Sequence, residues 1–186
     1  DSISSEKREH ALVNAMSDIL SRCRPRDTSK FVLAKLANCT EILTPECKAN
    51  MIHLAEFDDI ESYRSALRSN LSSYYSKSGV LLFVYSVLLS RSVELVRSDT
   101  DEPGECTMTA KHGHCTQELL NLLLLGVARS QVFDGTRPVG ETGLVLSGVE
   151  TRPQIGLLSY LEAMRYLEVG SYLKNPFYPI YVISSG

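Results

Sequence analysis

The sequence predicts a mixed α+β domain, and three observations carry that reading. An amphipathic helical pattern opens the chain between Ser5 and Cys23. Strand-like runs follow at Ser29–Leu36, Asn50–Phe57 and Tyr178–Ser184. Helical and strand segments succeed one another without the regular alternation that builds a parallel βαβ sheet. The length of 186 residues suits one core, so residues 1–186 are read as a single domain.

Each element has a local reason. In the first helix, Leu12, Met16, Ile19 and Leu20 recur on one face. Ser4 or Ser5 can accept from an orphan N–H at its start, and Pro25 forces an end near Arg24. Between Ser29 and Leu36 the residues alternate, with Phe31 and Leu33 on one side, as in a half-covered strand. Asp58 and Glu61 form a capping box for a helix whose stripe is Ile60, Tyr63, Leu67, Leu71 and Tyr74. Gly79 interrupts the chain, and Val80–Val96 is helical again. Its beginning is apolar nearly all round, which predicts a central buried helix. Ser98–Gly113 reads as a loop punctuated by Asp, Pro and Gly, and Thr116–Ala128 as the next helix. Phe133–Glu141 is a turn-rich loop, and Leu144–Leu146 a short strand. Ile155–Leu167, led by Pro153, reads as a last helix with Leu158, Leu161 and Met164 inward. Tyr178–Ser184 closes the pattern with strong strand formers.

Composition narrows the class. A hydrophobic fraction of 44% and a charged fraction of 22% describe an ordinary globular chain. The net charge of -3 leaves no basic footprint, so no nucleic-acid partner is expected. The most apolar run, Val80–Leu89, falls well short of the roughly 20 residues a bilayer crossing needs, so no membrane partner is expected either. Lys7, Arg8, Glu9 and His10 stand where a signal peptide would be apolar. Five cysteines in irregular order argue against a secreted disulfide framework. A reducing intracellular setting, cytoplasm and/or nucleus, is the simpler expectation. Asp1 is not a starting methionine and Gly186 follows directly on an apolar strand, so both ends read as cuts in a longer chain.

The most informative window runs from Leu88 to Gly126. It holds Leu89-Ser90-Arg91-Ser92, Glu94-Leu95-Val96-Arg97, Asp101, Pro103, Gly113-His114-Cys115-Thr116-Gln117-Glu118-Leu119 and Asn121-Leu122-Leu123. Further on stand Ile155-Gly156-Leu157-Leu158, Glu162, Glu168-Val169-Gly170-Ser171-Tyr172-Leu173-Lys174-Asn175-Pro176 and Pro179-Ile180-Tyr181-Val182. These residues resemble the MINDY family of deubiquitinases, in the branch of its third and fourth members. Gln154 departs from the pattern, since relatives often carry aspartate there, and residues 24–56 match only loosely.

The resemblance implies a papain-like cysteine peptidase superfold, seen here as part of a MINDY-type catalytic domain. It implies thiol-dependent hydrolysis of isopeptide bonds in polyubiquitin, with preference for the proteasome-targeting lysine linkage. Ubiquitin and polyubiquitin chains are the implied partners, and no metal or organic cofactor is implied. The family's nucleophile sits in a G-G-P-C-G-V-L-A motif ahead of the first helix, and its histidine follows the strand that Pro179–Val182 matches. Neither lies within this chain, so no catalytic residue is assigned to it. Two residues are carried over as ubiquitin contacts, Phe133 and Ile155. The alternative is an inactive family member that binds ubiquitin or another protein without cutting.

Local chemistry adds little to this. Cys115 follows His114 and precedes a helix, whose N-terminus lowers a thiol's pKa and favours a thiolate. Neighbouring residues point apart, however, so His114 is a poor base for it, and a buried structural cysteine is the better reading. Cys106, His112, His114 and Cys115 match no common zinc spacing. Cys23, Cys39 and Cys47 read as packing or surface thiols. Glu118 complements a helix dipole, Gln117 can orient a neighbouring loop, and Asp134-Gly135 is a turn. Ser147 lacks the context of a serine hydrolase.

Overall fold

The computed structural model describes residues 4–25, 30–36, 52–104, 107–110, 113–141 and 143–184. It divides into two compact units, Asp1–Val93 and Glu94–Gly186.

The first unit is built on helix α1 (Ser5–Cys23), with the bounds expected from its sequence. Ser4 Oγ accepts from the Lys7 N–H at 3.3 Å and so satisfies one orphan donor. The buried face is Val13, Met16, Ser17, Leu20 and Cys23. It is rotated away from Leu12, which is 36% exposed. Strands β1 (Phe31–Leu36) and β2 (Ile52–Phe57) pair antiparallel, Phe31 opposite Phe57 and Leu36 opposite Ile52.

Phe31 to Ala34 are all buried, so β1 lacks the alternation of a half-covered strand. Its free edge explains this. The Val32 N–H donates to Ser90 Oγ at 2.8 Å, and the Ala34 N–H to Ser86 Oγ at 2.9 Å. The Tyr74 hydroxyl donates to the Ala34 carbonyl at 2.7 Å. The two serines are four residues apart on one helix face, and they stand in for a third strand.

Helix α2 (Ile60–Ser69) is capped by Asp59, one residue later than the capping box expected at Asp58. Asp59 Oδ1 accepts from the Ser62 N–H at 2.8 Å and Oδ2 from the Ser62 hydroxyl at 2.7 Å. Those bonds hold the Asp59 carboxyl below its usual range, the hydroxyl bond contributing most. Glu61 does not complete the box; it pairs with Arg64 at 2.7 Å. Tyr63 and Leu67 are fully buried, and the Tyr63 ring meets Phe31 and Phe57 at centroid distances of 5.9 and 6.2 Å. Asn70 ends the helix, and a single turn, α3 (Leu71–Tyr74), follows.

Helix α4 (Gly79–Arg91) must start on glycine, because a Cβ there would lie 1.9 Å from the Tyr74 carbonyl oxygen. The expectation of a helix buried all round is corrected: Val80 is 77% exposed and Leu81 54%. Only the Leu82, Ser86, Val87 and Ser90 side is covered. Nor does the helix run through to Val96. Ser92 takes φ 78, which no α-helix accommodates, and α5 (Val93–Asp99) begins anew after it.

In the second unit, α6 (Gln117–Leu125) is capped by Thr116, whose Oγ1 accepts from the Leu119 N–H at 3.4 Å. Gly126, at φ 82, closes it in the left-handed conformation, so it stops short of Ala128. Strands β3 (Thr136–Val139) and β4 (Leu144–Ser147) form an antiparallel hairpin, Thr136 opposite Ser147. The loop expected over Phe133–Glu141 therefore contains a strand, turned at Gly140 and Gly143, both of positive φ.

The last helix expected over Ile155–Leu167 is also corrected. Strand β5 (Gly156–Ser159) runs parallel to β6 (Tyr181–Ser184), and only the single turn α7 (Tyr160–Ala163) follows β5. The Gly156 N–H donates to the Ile180 carbonyl at 2.9 Å. A Cβ on Gly156 would lie 2.5 Å from the Leu173 carbonyl oxygen and 2.6 Å from the Tyr181 ring, so glycine is needed for this approach. Leu157 is fully buried, while Leu158 and Met164, expected inward, are 38% and 50% exposed. Leu157 joins Leu124, Val132, Val149, Val169 and Leu173 in the core of this unit. A short helix, α8 (Ser171–Lys174), packs its Leu173 there.

Glu162 ties α7 to α8. Its Oε1 accepts from Lys174 Nζ at 3.0 Å and from the Val169 N–H at 2.9 Å. The Lys174 bond above all holds the Glu162 carboxyl below its usual range. A carboxyl with a lowered folded pKa contributes stability above its unfolded pKa, and loses it as pH falls through the folded value. Glu162→Gln is expected to lower the melting temperature at neutral pH and to change little at acid pH, so that the acid side of the profile flattens. A profile as steep as that of the parent would show that this pair contributes nothing. No single helix among the described residues is long and apolar enough to cross a membrane.

Candidate functional site

The residues that carry the resemblance in the second unit converge on one polar core. An Asp99 carboxylate oxygen accepts from the Ala128 N–H at 3.1 Å. Asp101 accepts from the Ser147 N–H at 3.2 Å and from Gln131 Nε2 at 2.8 Å, while its own N–H donates to Ser130 Oγ at 3.2 Å. Asn121, fully buried on α6, donates to the Arg129 and Gln131 carbonyls at 2.8 and 3.0 Å. Gln117 Nε2 donates to Asn121 Oδ1 at 3.0 Å, so Gln117 acts on the 129–131 loop through Asn121. The loop after α6 is thus held by side chains from the acidic turn and from the helix itself. A cavity of about 270 Å³ opens beside it, with Asp101, Glu102, Glu118, Ser130, Gln131 and Leu146 in its lining.

Phe133 lies just beyond this loop. Phe133 is buried, only 7% exposed. Gly148 backs it closely: a Cβ on that glycine would sit 2.8 Å from the ring and 2.1 Å from the Phe133 carbonyl oxygen. The Arg137 guanidinium covers the ring at 4.2 Å from its centroid, a cation–π contact. Arg137 also pairs with Glu168 at 3.3 Å and stays half exposed. A partner at this point would meet Arg137 before Phe133. Ile155 is half-buried and packs on the core cluster at the entry to β5.

Cys115 is exposed, not the buried anchor expected. Its S–H donates to the Thr116 carbonyl at 3.4 Å, not to an imidazole. Desolvation of the sulfur pushes the thiol's pKa up, opposite to the lowering expected at a helix start. Those contacts favour the thiol and not the thiolate a nucleophile requires. Cys106 and His112, as well as Cys39 and Cys47, lie outside the described residues. Among the described residues no three His, Cys, Asp or Glu side chains gather as a metal site.

Asp134 does more than turn the chain. Its carboxylate accepts from the Ser171 N–H at 2.7 Å, the Ser171 hydroxyl at 2.6 Å and the Tyr172 N–H at 3.1 Å. Arg152 donates to the Asn175 and Pro176 carbonyls and lies 4.7 Å over the Phe177 ring, fixing the turn that leads to β6.

This mixed α+β unit, whose motif residues knit a helix, an acidic turn and a hairpin, falls within a family of deubiquitinating enzymes. The model of the family described as "Deubiquitinating enzyme MINDY-3/4, conserved domain" matches residues 1–186, and the chain belongs to that family. It is 38% identical to human ubiquitin carboxyl-terminal hydrolase MINDY-3, over 87% of this chain and 36% of the human protein. It is 32% identical to the zebrafish (Danio rerio) MINDY-3, over 95% of this chain and 39% of that one. With the mouse (Mus musculus) probable ubiquitin carboxyl-terminal hydrolase MINDY-4 it shares 35% identity over 98% of this chain and 25% of the relative. The chain spans about a third of the length of the MINDY-3 relatives it matches. No solved structure matches it.

Proposed function

We propose that this chain is the scaffold of a deubiquitinase that hydrolyses isopeptide bonds in polyubiquitin. The observation that carries the reading is the family match across residues 1–186. On this reading the fold is a papain-like cysteine peptidase, and the nucleophile and histidine stand outside residues 1–186. A thiolate attacks the carbonyl carbon of ubiquitin's C-terminal glycine, and donor groups stabilise the oxyanion. The isopeptide C–N bond breaks, histidine protonates the departing lysine amine, and water then hydrolyses the thioester. The proteasome-targeting lysine linkage is the preferred substrate, and the working compartment is cytoplasm or nucleus.

The docking surface of this reading includes Phe133 and Ile155. Phe133 serves as the floor that presents the Arg137 guanidinium, and Ile155 fixes the entry to β5. Anchors of this kind dominate interface energetics because their neighbours exclude water. Phe133→Ala is expected to weaken ubiquitin binding about ten-fold in a titration followed by NMR, with the fold retained. Unchanged affinity in a folded variant would remove Phe133 from the surface. Binding without cleavage by the full-length protein would favour the inactive, ubiquitin-binding alternative.

A further inference from the structure

We propose that Asp134 is a positioning residue of the hydrolase, tying the base of the β3–β4 hairpin to the first turn of α8 and so fixing how β6 lies on β5. The proposal rests on the deubiquitinase reading, in which the catalytic histidine follows β6. Its support is geometric.

On one side, residues 133–135 are built into the hairpin base. The Gly135 N–H donates to the Val149 carbonyl, the Val149 N–H to the Phe133 carbonyl, and the Gly148 N–H to the Gly135 carbonyl, each at 2.8 Å. On the other side, the Asp134 carboxylate takes the three donors of Ser171 and Tyr172 at 2.6 to 3.1 Å. The Gly170 N–H adds a bond to the Val132 carbonyl at 2.8 Å. A Cβ on Gly170 would lie 2.1 Å from Asp134 Oδ1, so only glycine lets the two segments approach this closely.

The connection continues beyond α8. The Leu173 carbonyl sits against Gly156 of β5, and the Tyr181 hydroxyl of β6 donates to the Lys174 carbonyl at 3.1 Å. Asp134 therefore stands at the start of an unbroken series of short contacts that ends on β6. The pair β5–β6 is two-stranded and four residues long, too short to hold its own position by ladder bonds. A shift of about 1 Å in a catalytic group costs up to about a hundred-fold in rate, so a residue that sets such a strand acts on turnover more than on binding.

The test uses the full-length protein cutting polyubiquitin, with amide exchange as a second readout. Asp134→Ala is expected to lower kcat about ten-fold or more while KM stays within about two-fold. Exchange at Tyr181–Ser184 should speed up. Asp134→Asn keeps a carbonyl acceptor and is expected to recover most of the loss. Should Asp134→Ala fail to fold, Ser171→Ala removes one of the three bonds and carries the same test, with kcat lowered about three-fold. A folded Asp134→Ala with parental kcat and unchanged β6 exchange would overturn the proposal, whatever its melting temperature. A parental protein that cuts no chains would instead refute the hydrolase reading. Unchanged exchange at β6 would then still overturn the positioning role.

Discussion

Replacing Ser86 and Ser90 together by alanine is expected to destabilise the first unit by about 4 kcal/mol, at about 1–3 kcal/mol for each buried donor left without an acceptor. The two hydroxyls accept from the Val32 and Ala34 N–H groups, and all four residues are buried. A strand edge facing a helix ordinarily leaves its donors unpaired, and here helix side chains satisfy them. Water cannot substitute without opening the contact between β1 and α4. The Ser86 hydroxyl also donates back to the Leu82 carbonyl at 2.8 Å, so its single variant should cost more than that of Ser90. Chemical denaturation measures the total, and amide exchange at Val32 and Ala34 locates it. A loss below about 1 kcal/mol for the double variant would mean that the edge re-forms its bonds elsewhere.

Asn121→Leu is expected to cost about 3 kcal/mol in the second unit, although leucine keeps the branching of asparagine and is more apolar. The substitution opens no cavity of consequence. It strands the Arg129 and Gln131 carbonyls and the Gln117 amide, which now meet Asn121 at 2.8, 3.0 and 3.0 Å. An unpaired buried group costs more than the net worth of the bond it lost. Gln117→Ala, which removes only the outer member, should cost about 1 kcal/mol. The loop at 129–131 should loosen first, with faster exchange at Gln131 and Val132. A stable Asn121→Leu with an unchanged loop would contradict the role given to this core.

Helix ends were the most legible part of the sequence. Ser4 and Pro25 bracket α1, and Thr116 opens α6, because caps and breakers act within a turn of where they stand. The break at Ser92 was not legible: neither glycine nor proline marks it, yet its backbone takes φ 78. Leu158, Leu161 and Met164 fit a helical spacing, and only the pairing of Gly156–Ser159 with Tyr181–Ser184 makes that segment a strand. Such a pairing is decided by residues far along the chain, where local propensity has no say. The surroundings of Asp134 and Phe133 are hidden for the same reason. The partners that define them, Ser171, Tyr172 and Gly148, are remote in sequence. The motif window, by contrast, named Asp101, Gln117 and Asn121 before their contacts were visible. Their shared work is to hold the loop that precedes Phe133.

The most direct test of the deubiquitinase account is intact mass spectrometry of the full-length protein after exposure to ubiquitin bearing a C-terminal electrophile. The account expects a single ubiquitin adduct on a cysteine outside residues 1–186, with Cys115 unmodified. No adduct, or an adduct on Cys115, would contradict it.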